Sequence, residues 1–325
     1  MYFQFLFAQS DNIVYNILNR TNYQEGGLHE KITPAVLQQK LVIDELYSVH
    51  YFEFSKNYYF AGESHPFWEF VYVDKGEVDV VSDDKTLHLT KGQVIFHKPD
   101  EFHTIMGNGK IAPNILIVTF NCSGGYMGYF ENKILSINDH ERRLLAQIIA
   151  ESENAFSSPL DDPMANQLVR NELADPFCEQ FIKLSLEWLL LSLIRRGNEH
   201  KNSSPVSLIK ENSQNEVFDK IVKYMEANLD KKLLLNEICR DNLVCRSYLQ
   251  KLFRDKTGGG AIDYFNKMKI DAAKQMIRES SGNFTEISMK LGYNSIHYFS
   301  RQFKSITGMT LSEYASSVKI LTNKQ

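Results

Sequence analysis

Hydrophobic positions change their period along this chain. From Leu46 to about Phe120 they fall in short β-rich runs broken by turns: Phe67 to Val73, Val78 to Val81, Leu87-His88-Leu89, Gly92 to His97 and Ile115 to Phe120, with a turn at Gly76. Runs of this length and spacing predict a small antiparallel barrel or jelly roll. After Ser123-Gly124-Gly125 the alternation stops and helical spacing takes over. Asp139 to Phe156 predicts a helix with Leu144, Leu145, Ile148 and Ile149 on one face. Glu179 to Arg196 predicts another, whose apolar set from Phe181 to Ile194 is too wide for one packing partner. Part of it is expected to cover the barrel and part to join a second subunit, the alternative being one broad helix buried within a single chain. Residues 198–215 are polar and interrupted by Ser203-Ser204-Pro205, which reads as a linker. Residues 1–45 mix short apolar runs with polar turns and suggest no site. Met1 to Ala8 is apolar but lacks a basic segment and is too short to span a bilayer, so it reads as an edge strand or tail, without export or anchoring.

The strongest pattern is a repeat between Asn236 and Gly308. Asn236-Glu237-Ile238-Cys239, Tyr248-Leu249-Gln250-Lys251, Phe253-Arg254 and Thr257-Gly258 return as Thr285-Glu286-Ile287-Ser288, Tyr298-Phe299-Ser300-Arg301, Phe303-Lys304 and Thr307-Gly308. Each copy reads as a short helix, a tight break and a second helix with one apolar face, the outline of a helix-turn-helix. Such a second helix enters a major groove only if one face packs inward and the other offers donors. In the first copy Tyr248, Leu249, Leu252 and Phe253 are expected inside, leaving Arg246, Ser247, Gln250, Lys251 and Arg254 as candidate DNA contacts. In the second, Phe299, Phe303, Tyr298 and Ile306 are expected inside, leaving His297, Ser300, Arg301 and Lys304. A helix of about Ala261 to Glu279 would connect the two. One such basic face alone is usually just solvated; two matching copies favour double-stranded DNA.

Charge and length agree with a division of labour. The 325 residues suffice for two cores. The net charge of −4 divides into 18 Lys+Arg against 12 Asp+Glu from Glu216 onward, and 18 against 28 before it. Basic charge is thus gathered where phosphate contacts would be made. Cys122, Cys178, Cys239 and Cys245 show neither metal-ligand spacing nor a disulfide framework, pointing to reduced thiols in a cytoplasmic protein.

The carboxyl-terminal part, roughly Glu216 to Val318, resembles the AraC/XylS family of bacterial transcription regulators. The resemblance is carried by Gly292-Tyr293, Tyr298 to Lys304, Thr307-Gly308-Met309-Thr310 and Tyr314, by Tyr248 to Arg254 with Thr257-Gly258, and by Lys269-Ile270-Asp271-Ala272-Ala273 at the place of the linker helix's Arg-Ile-x-x-Ala. Departures fall mostly in the first unit. Cys245 stands where serine usually caps the recognition helix, and Leu243 where a turn glycine is common, with Asn242 available as the left-handed residue. Gly259-Gly260-Ala261 replaces a small-then-aromatic pair, and Leu311 a typical proline.

The β-rich part is similar to the cupin-like sensor of such regulators, with His65-Pro66-Phe67-Trp68-Glu69 before Gly76, and Gly92 before Pro99 and His103. If the strand begins near His65, then His65, Phe67, Glu69 and Val71 share one face, opposite Trp68, Phe70 and Tyr72. His65, Phe67, Glu69 and His103 are therefore the candidate ligand-binding residues. Enzymatic cupins hold metals with such a set, but Glu63 stands where a second histidine would fall and His97 is an uncertain substitute; no metal, cofactor or catalytic set is expected.

The reading is an α+β multidomain chain: 1–130 a cupin-like ligand-sensing barrel, 131–200 a helical dimerisation segment, 201–215 a linker, and 216–325 an all-α domain with two helix-turn-helix motifs. What the resemblance implies is a regulator of promoter or operator DNA, controlled by a small-molecule effector such as a sugar or other metabolite, dimeric, with RNA polymerase as a further partner and no membrane. The rivals are a metal-dependent cupin enzyme whose helical half serves assembly, and a constitutive DNA-binding protein whose barrel only dimerises.

Overall fold

A computed structural model describes residues 34–163, 165, 167–199 and 209–323, of which those from Lys40 onward form one compact unit. The tail expected at Met1 to Ala8 lies outside the described residues. Eight strands make two antiparallel sheets. One has the order β1 (Val42–Glu53), β7 (Asn114–Ser123), β2 (Trp68–Lys75), β5 (Gln93–His97), β8 (Ile134–Ser136); the other has the order β4 (Lys85–Thr90), β3 (Glu77–Ser82), β6 (His103–Gly107). Strand alternation sorts the side chains. Val71, Val73, Val78, Val80, Ile95, Ile105 and Ile115 fill the space between the sheets with Phe52 and Phe54. Phe70, Tyr72, Phe96, Leu116, Val118 and Phe120 point the other way, onto helices α1 (Asp139–Ala155) and α2 (Cys178–Glu199).

The barrel expected from sequence is therefore present, with corrections at its ends and at β6, which falls between two of the expected runs. Strand β1, twelve residues long, starts at Val42, inside the stretch that suggested no site; it pairs with β7 through register shifts that break its alternation. Strand β8 follows the point where strand signals stop, because three residues suffice to edge β5. Strand β2 begins at Trp68, so His65 and Phe67 precede it rather than sharing its pleat. On α2 the wide apolar set divides: Ile182, Leu186, Leu189, Leu190 and Leu193 are buried, while Phe181, Leu184, Trp188 and Leu191 stay exposed.

Seven further helices follow: α3 (Ile209–Glu226), α4 (Leu235–Asp241), α5 (Arg246–Thr257), α6 (Ala261–Arg278), α7 (Phe284–Lys290), α8 (Ile296–Thr307) and α9 (Leu311–Asn323). Helix α3 begins within the stretch read as a linker, since nothing after Pro205 breaks a helix. Helices α3, α4 and α5 close a core around Ile221, Ile238, Leu249 and Phe253 with the first half of α6. Its second half closes another around Ile287, Phe299, Phe303 and Tyr314. Helix α6 is thus the scaffold shared by both units.

The repeated residues are capping chemistry. Glu237 and Glu286 accept the backbone N–H of Leu234 and Asn283, at 2.8 and 3.0 Å. Thr257 and Thr307 donate to the Phe253 and Phe303 carbonyls, and Gly258 and Gly308 end the recognition helices with φ of +71° and +76°. The units differ at the break. Leu243 itself, not Asn242, takes the left-handed conformation, at φ +55°. It does so because it is the position equivalent to Gly292, whose φ is +64° and where a Cβ would lie 2.2 Å from the Asp230 carbonyl oxygen. Leu243 is 90% exposed, so its strain is not offset by packing. Leu243→Gly is expected to stabilise the protein by about 0.5–1 kcal/mol, read by urea denaturation; a loss would show that this leucine is held by contacts.

Candidate effector chamber and nucleic-acid interface

The candidate effector chamber is the cluster of buried polar side chains around Glu69 on the inner face of the sheets. Glu69 pairs across the ladder with His97 on β5 and Thr119 on β7, so all three project from the same face of the sheet. His103 begins β6 and is bridged to Glu63, each backbone N–H donating to the other's carbonyl at 3.0 Å. That bridge brings Glu63 and His65 up to Glu69, and donor atoms of Glu63, His65, Glu69 and His103 all lie within 4.8 Å of one another. Phe67 stacks on His65, with ring centroids 4.0 Å apart, and on Tyr47. The four residues singled out from sequence are therefore together, although His65 and Phe67 reach the site from the connection before β2.

Hydrogen bonds fix the rings. His65 Nδ1 donates to the Phe67 carbonyl and His103 Nδ1 to the Glu101 carbonyl, both at 3.0 Å. Their Nε2 atoms then face the two oxygens of Glu69, at 3.3 and 3.4 Å. A neutral ring donating through Nδ1 presents a lone pair from Nε2, so the arrangement asks for a proton or a cation between ring and carboxylate. Burial alone would raise the Glu69 carboxyl, but hydrogen bonds from His103 and His65 outweigh it and hold it at about 2. Burial opposes charge on His103 as well, yet the Glu69 carboxylate raises it to about 9. His103 Nε2 has no well-aligned hydrogen-bond partner. Two imidazoles and two carboxylates with Nδ1 anchored are a donor set that fits a divalent cation.

Sequence reasoning passed over several members of this site. Glu63 was read as a missing histidine, although its spacing to His65 and Glu69 was visible. His97 is not one of the four residues whose donor atoms converge: its Nδ1 donates to Glu101 Oε1 at 2.9 Å and its ring stacks on His103 at 4.4 Å. Ser82 and Glu101 hydrogen-bond behind it. His50, from β1, lies next to Phe52, with centroids 5.0 Å apart, within reach of the Glu69 charge. Nothing in the composition links those strands to the motif; only the sheet order does.

The recognition-helix candidates are presented outward. Arg246, Ser247, Gln250, Lys251 and Arg254 are exposed on α5, and His297, Arg301 and Lys304 on α8, with Ser300 half-buried. Tyr298 and Ile306, expected inside, are on the outer side, because Phe299 and Phe303, with Ile296 packed beside them, fill the core available to α8. Ser295 caps α8, accepting from the N–H groups of His297 and Tyr298 at 3.2 and 3.4 Å. Cys245 makes no such bond to α5; its sulfur contacts Ser247 Oγ at 3.3 Å. Lys269, buried on α6, donates to the Leu291 carbonyl at the end of α7, at 2.7 Å.

Comparison with known proteins agrees with both halves. The AraC-like ligand binding domain matches residues 46–106 and a helix-turn-helix domain residues 239–317. The HTH-type transcriptional activator RhaR of Escherichia coli (strain K12) is 24% identical over 271 residues, covering 78% of this chain and 86% of its own. RhaR of Shigella flexneri is 23% identical over 268 residues with the same coverage. Among solved structures, ToxT from Vibrio cholerae aligns over 88% of this chain and 100% of its own at 13% identity and a TM-score of 0.32. An AraC-type DNA-binding protein from Chromobacterium violaceum covers 35% of this chain and 99% of its own, at 21% identity and a TM-score of 0.32. With a ligand-binding barrel and paired helix-turn-helix units joined in one chain, the protein belongs to the AraC/XylS family of DNA-binding transcriptional regulators.

Proposed function

We propose that this regulator binds a promoter sequence through α5 and α8 together, as a cytoplasmic homodimer without enzymatic activity, and that an effector in the chamber of His65, Phe67, Glu69 and His103 controls it. The observation that carries the reading is the pair of exposed polar and basic helices held on one scaffold. Helix α6 has 18 residues, about 27 Å at 1.5 Å each, of the order of one DNA turn. Arg246, Ser247, Gln250, Lys251 and Arg254 would then face one half-site and His297, Ser300, Arg301 and Lys304 the next. RNA polymerase follows as a partner only by analogy with the activators named above. The expected division near residues 130, 200 and 215 stands as a proposal, with the linker shortened by α3. The apolar strip of Phe181, Leu184, Trp188 and Leu191 on α2 supports a second copy as its cover. No helix among the described residues is long and apolar enough to cross a membrane.

Genome-wide mapping of bound DNA tests this. Enriched sites should share a bipartite motif with centres about 10 base pairs apart; enrichment without any common motif would refute it. A second reading concerns the effector, since the convergence of donor atoms from Glu63, His65, Glu69 and His103 within 4.8 Å of one another favours a cation coordinated by all four. Titration with Mn²⁺, Ni²⁺ or Zn²⁺ is then expected to give one equivalent bound and a rise of several degrees in Tm, lost in His103→Asn. No binding above that of the variant removes the cation and leaves an organic effector, such as a sugar or other metabolite.

A further inference from the structure

The hydrophobic clusters of the barrel and its helices draw only on residues before 195, and those of the helix-turn-helix units only on residues after 216. No cluster among the described residues spans the two halves. What joins them is polar, and it centres on Glu53 at the end of β1. Glu53 Oε1 is 2.5 Å from Lys274 Nζ, and Oε2 is 3.2 Å from Arg278 Nη1 and accepts from the Tyr314 hydroxyl at 2.8 Å. Arg278, 4% exposed, also donates to Asn114 on β7 and to Tyr314 at 3.0 Å. The backbone N–H of Ala112 donates to Glu279 at 3.2 Å, and Lys75 pairs with Asp271 at 3.2 Å. A cleft of about 790 Å³, bordered by Glu53, Phe156, Leu160, Lys274, Met309 and Tyr314, opens beside this cluster, so no broad apolar seal reinforces it.

A polar junction of this kind is suited to opening. Desolvating Glu53, Lys274 and Arg278 offsets much of their mutual attraction, and all three regain water when they part, so closed and open states differ by little. Removing one partner is different: without Glu53 the buried guanidinium is uncompensated, and without Lys274 the carboxylate loses one of the two cations that hold it against α6, so either change favours the open state. The same strand reaches the chamber. His50 and Phe52 point into the barrel, where His50 feels the Glu69 charge, and the next residue after Phe52 is Glu53, on the opposite side of the strand. A shift of β1 at His50 and Phe52 therefore displaces the carboxylate that holds α6.

We infer that Glu53 is the release point of a polar latch between the ligand-binding barrel and the scaffold helix α6, and that β1 carries the state of the chamber to it. The second half rests on the chamber being the effector site. The latch predicts how a mutant opens, and the link predicts what a chamber variant does to the latch, so the two fail separately.

Hydrogen–deuterium exchange of the full-length protein tests both, with the Ala112 amide as reporter because its hydrogen bond crosses the junction. In Glu53→Gln and in Lys274→Met, Ala112 and the last turn of α6 are expected to exchange at least tenfold faster, while amides of β2 keep their wild-type protection. Unchanged Ala112 exchange in both variants overturns the latch, and so does equal loss of protection in β2, which would make Glu53 a residue that only keeps the barrel folded. His50→Leu is expected to change Ala112 exchange at least threefold with β2 again unaffected. If the two latch variants respond and His50→Leu does not, control through β1 is overturned; genome-wide mapping would still judge the DNA reading independently.

Discussion

Glu69→Gln is expected to destabilise the barrel by ~3–5 kcal/mol near pH 5.5, the cost of leaving one member of a buried ion pair alone. The size should follow pH with a definite sign. His103, raised from 6.5 to about 9, contributes stability that is full below about pH 6.5 and lost as pH rises through about 9. Glu69, lowered from 4.5 to about 2, contributes stability that is present above about pH 4.5 and lost as pH falls through about 2. The difference between wild type and variant should therefore be greatest between those two unfolded values, about pH 4.5 to 6.5, and smaller at pH 9.5, where the ring in either protein is largely neutral. Urea denaturation of both proteins at pH 5.5 and 9.5, in the presence of a chelator, measures it. A penalty that is the same at both values would mean that the carboxylamide disturbs packing and that the charge pair is not what holds the chamber.

The parts legible in the sequence were those whose signal is local. Alternation marked five strands, helical spacing marked α1, α2 and the recognition helices α5 and α8, and the Thr-Gly and Glu repeats marked the ends of helices because capping residues act within three or four positions of each other. The parts that were missed depend on partners distant in sequence. Strand β1 has bulges that blur its alternation, and β8 is stabilised only by pairing with β5. Glu63 became a member of the chamber through a bridge to His103, forty residues later. The inward placement expected for Tyr298 and Ile306 failed for a related reason. Periodicity gives the apolar stripe of a helix, whereas the width of that stripe actually buried is set by what packs against it, and here two phenylalanines with Ile296 beside them suffice. Glu53 illustrates the limit: a single acidic residue at a strand end carries no motif, and its role emerges only with α6 in place.

Removing Lys251 and Arg301 together is expected to reduce operator affinity by 10²- to 10⁴-fold and to erase most of the preference for operator over random duplex. Each side chain occupies the exposed face of a different recognition helix, at matching positions of the two units. A base contact of this kind contributes ~1–3 kcal/mol, and sites set on separate units should lose their contributions nearly additively. The two residues should also be separable by salt. An arginine that reads a base pair changes which sequence is preferred and leaves the salt dependence mostly intact, whereas a lysine that meets phosphate weakens all sequences alike and lowers the slope of log K against log salt by about one. Arg301→Ala is therefore expected to relax preference at one half-site, with Lys251→Ala acting mainly on the slope. Neither substitution should alter the fold, because both side chains are exposed. Mobility shifts against operator and scrambled duplexes at two ionic strengths, for each single variant and the double, decide the matter. Retention of full specificity by the double variant would mean that α5 and α8 are not the reading helices, and the DNA-binding face would have to be sought elsewhere on the paired units.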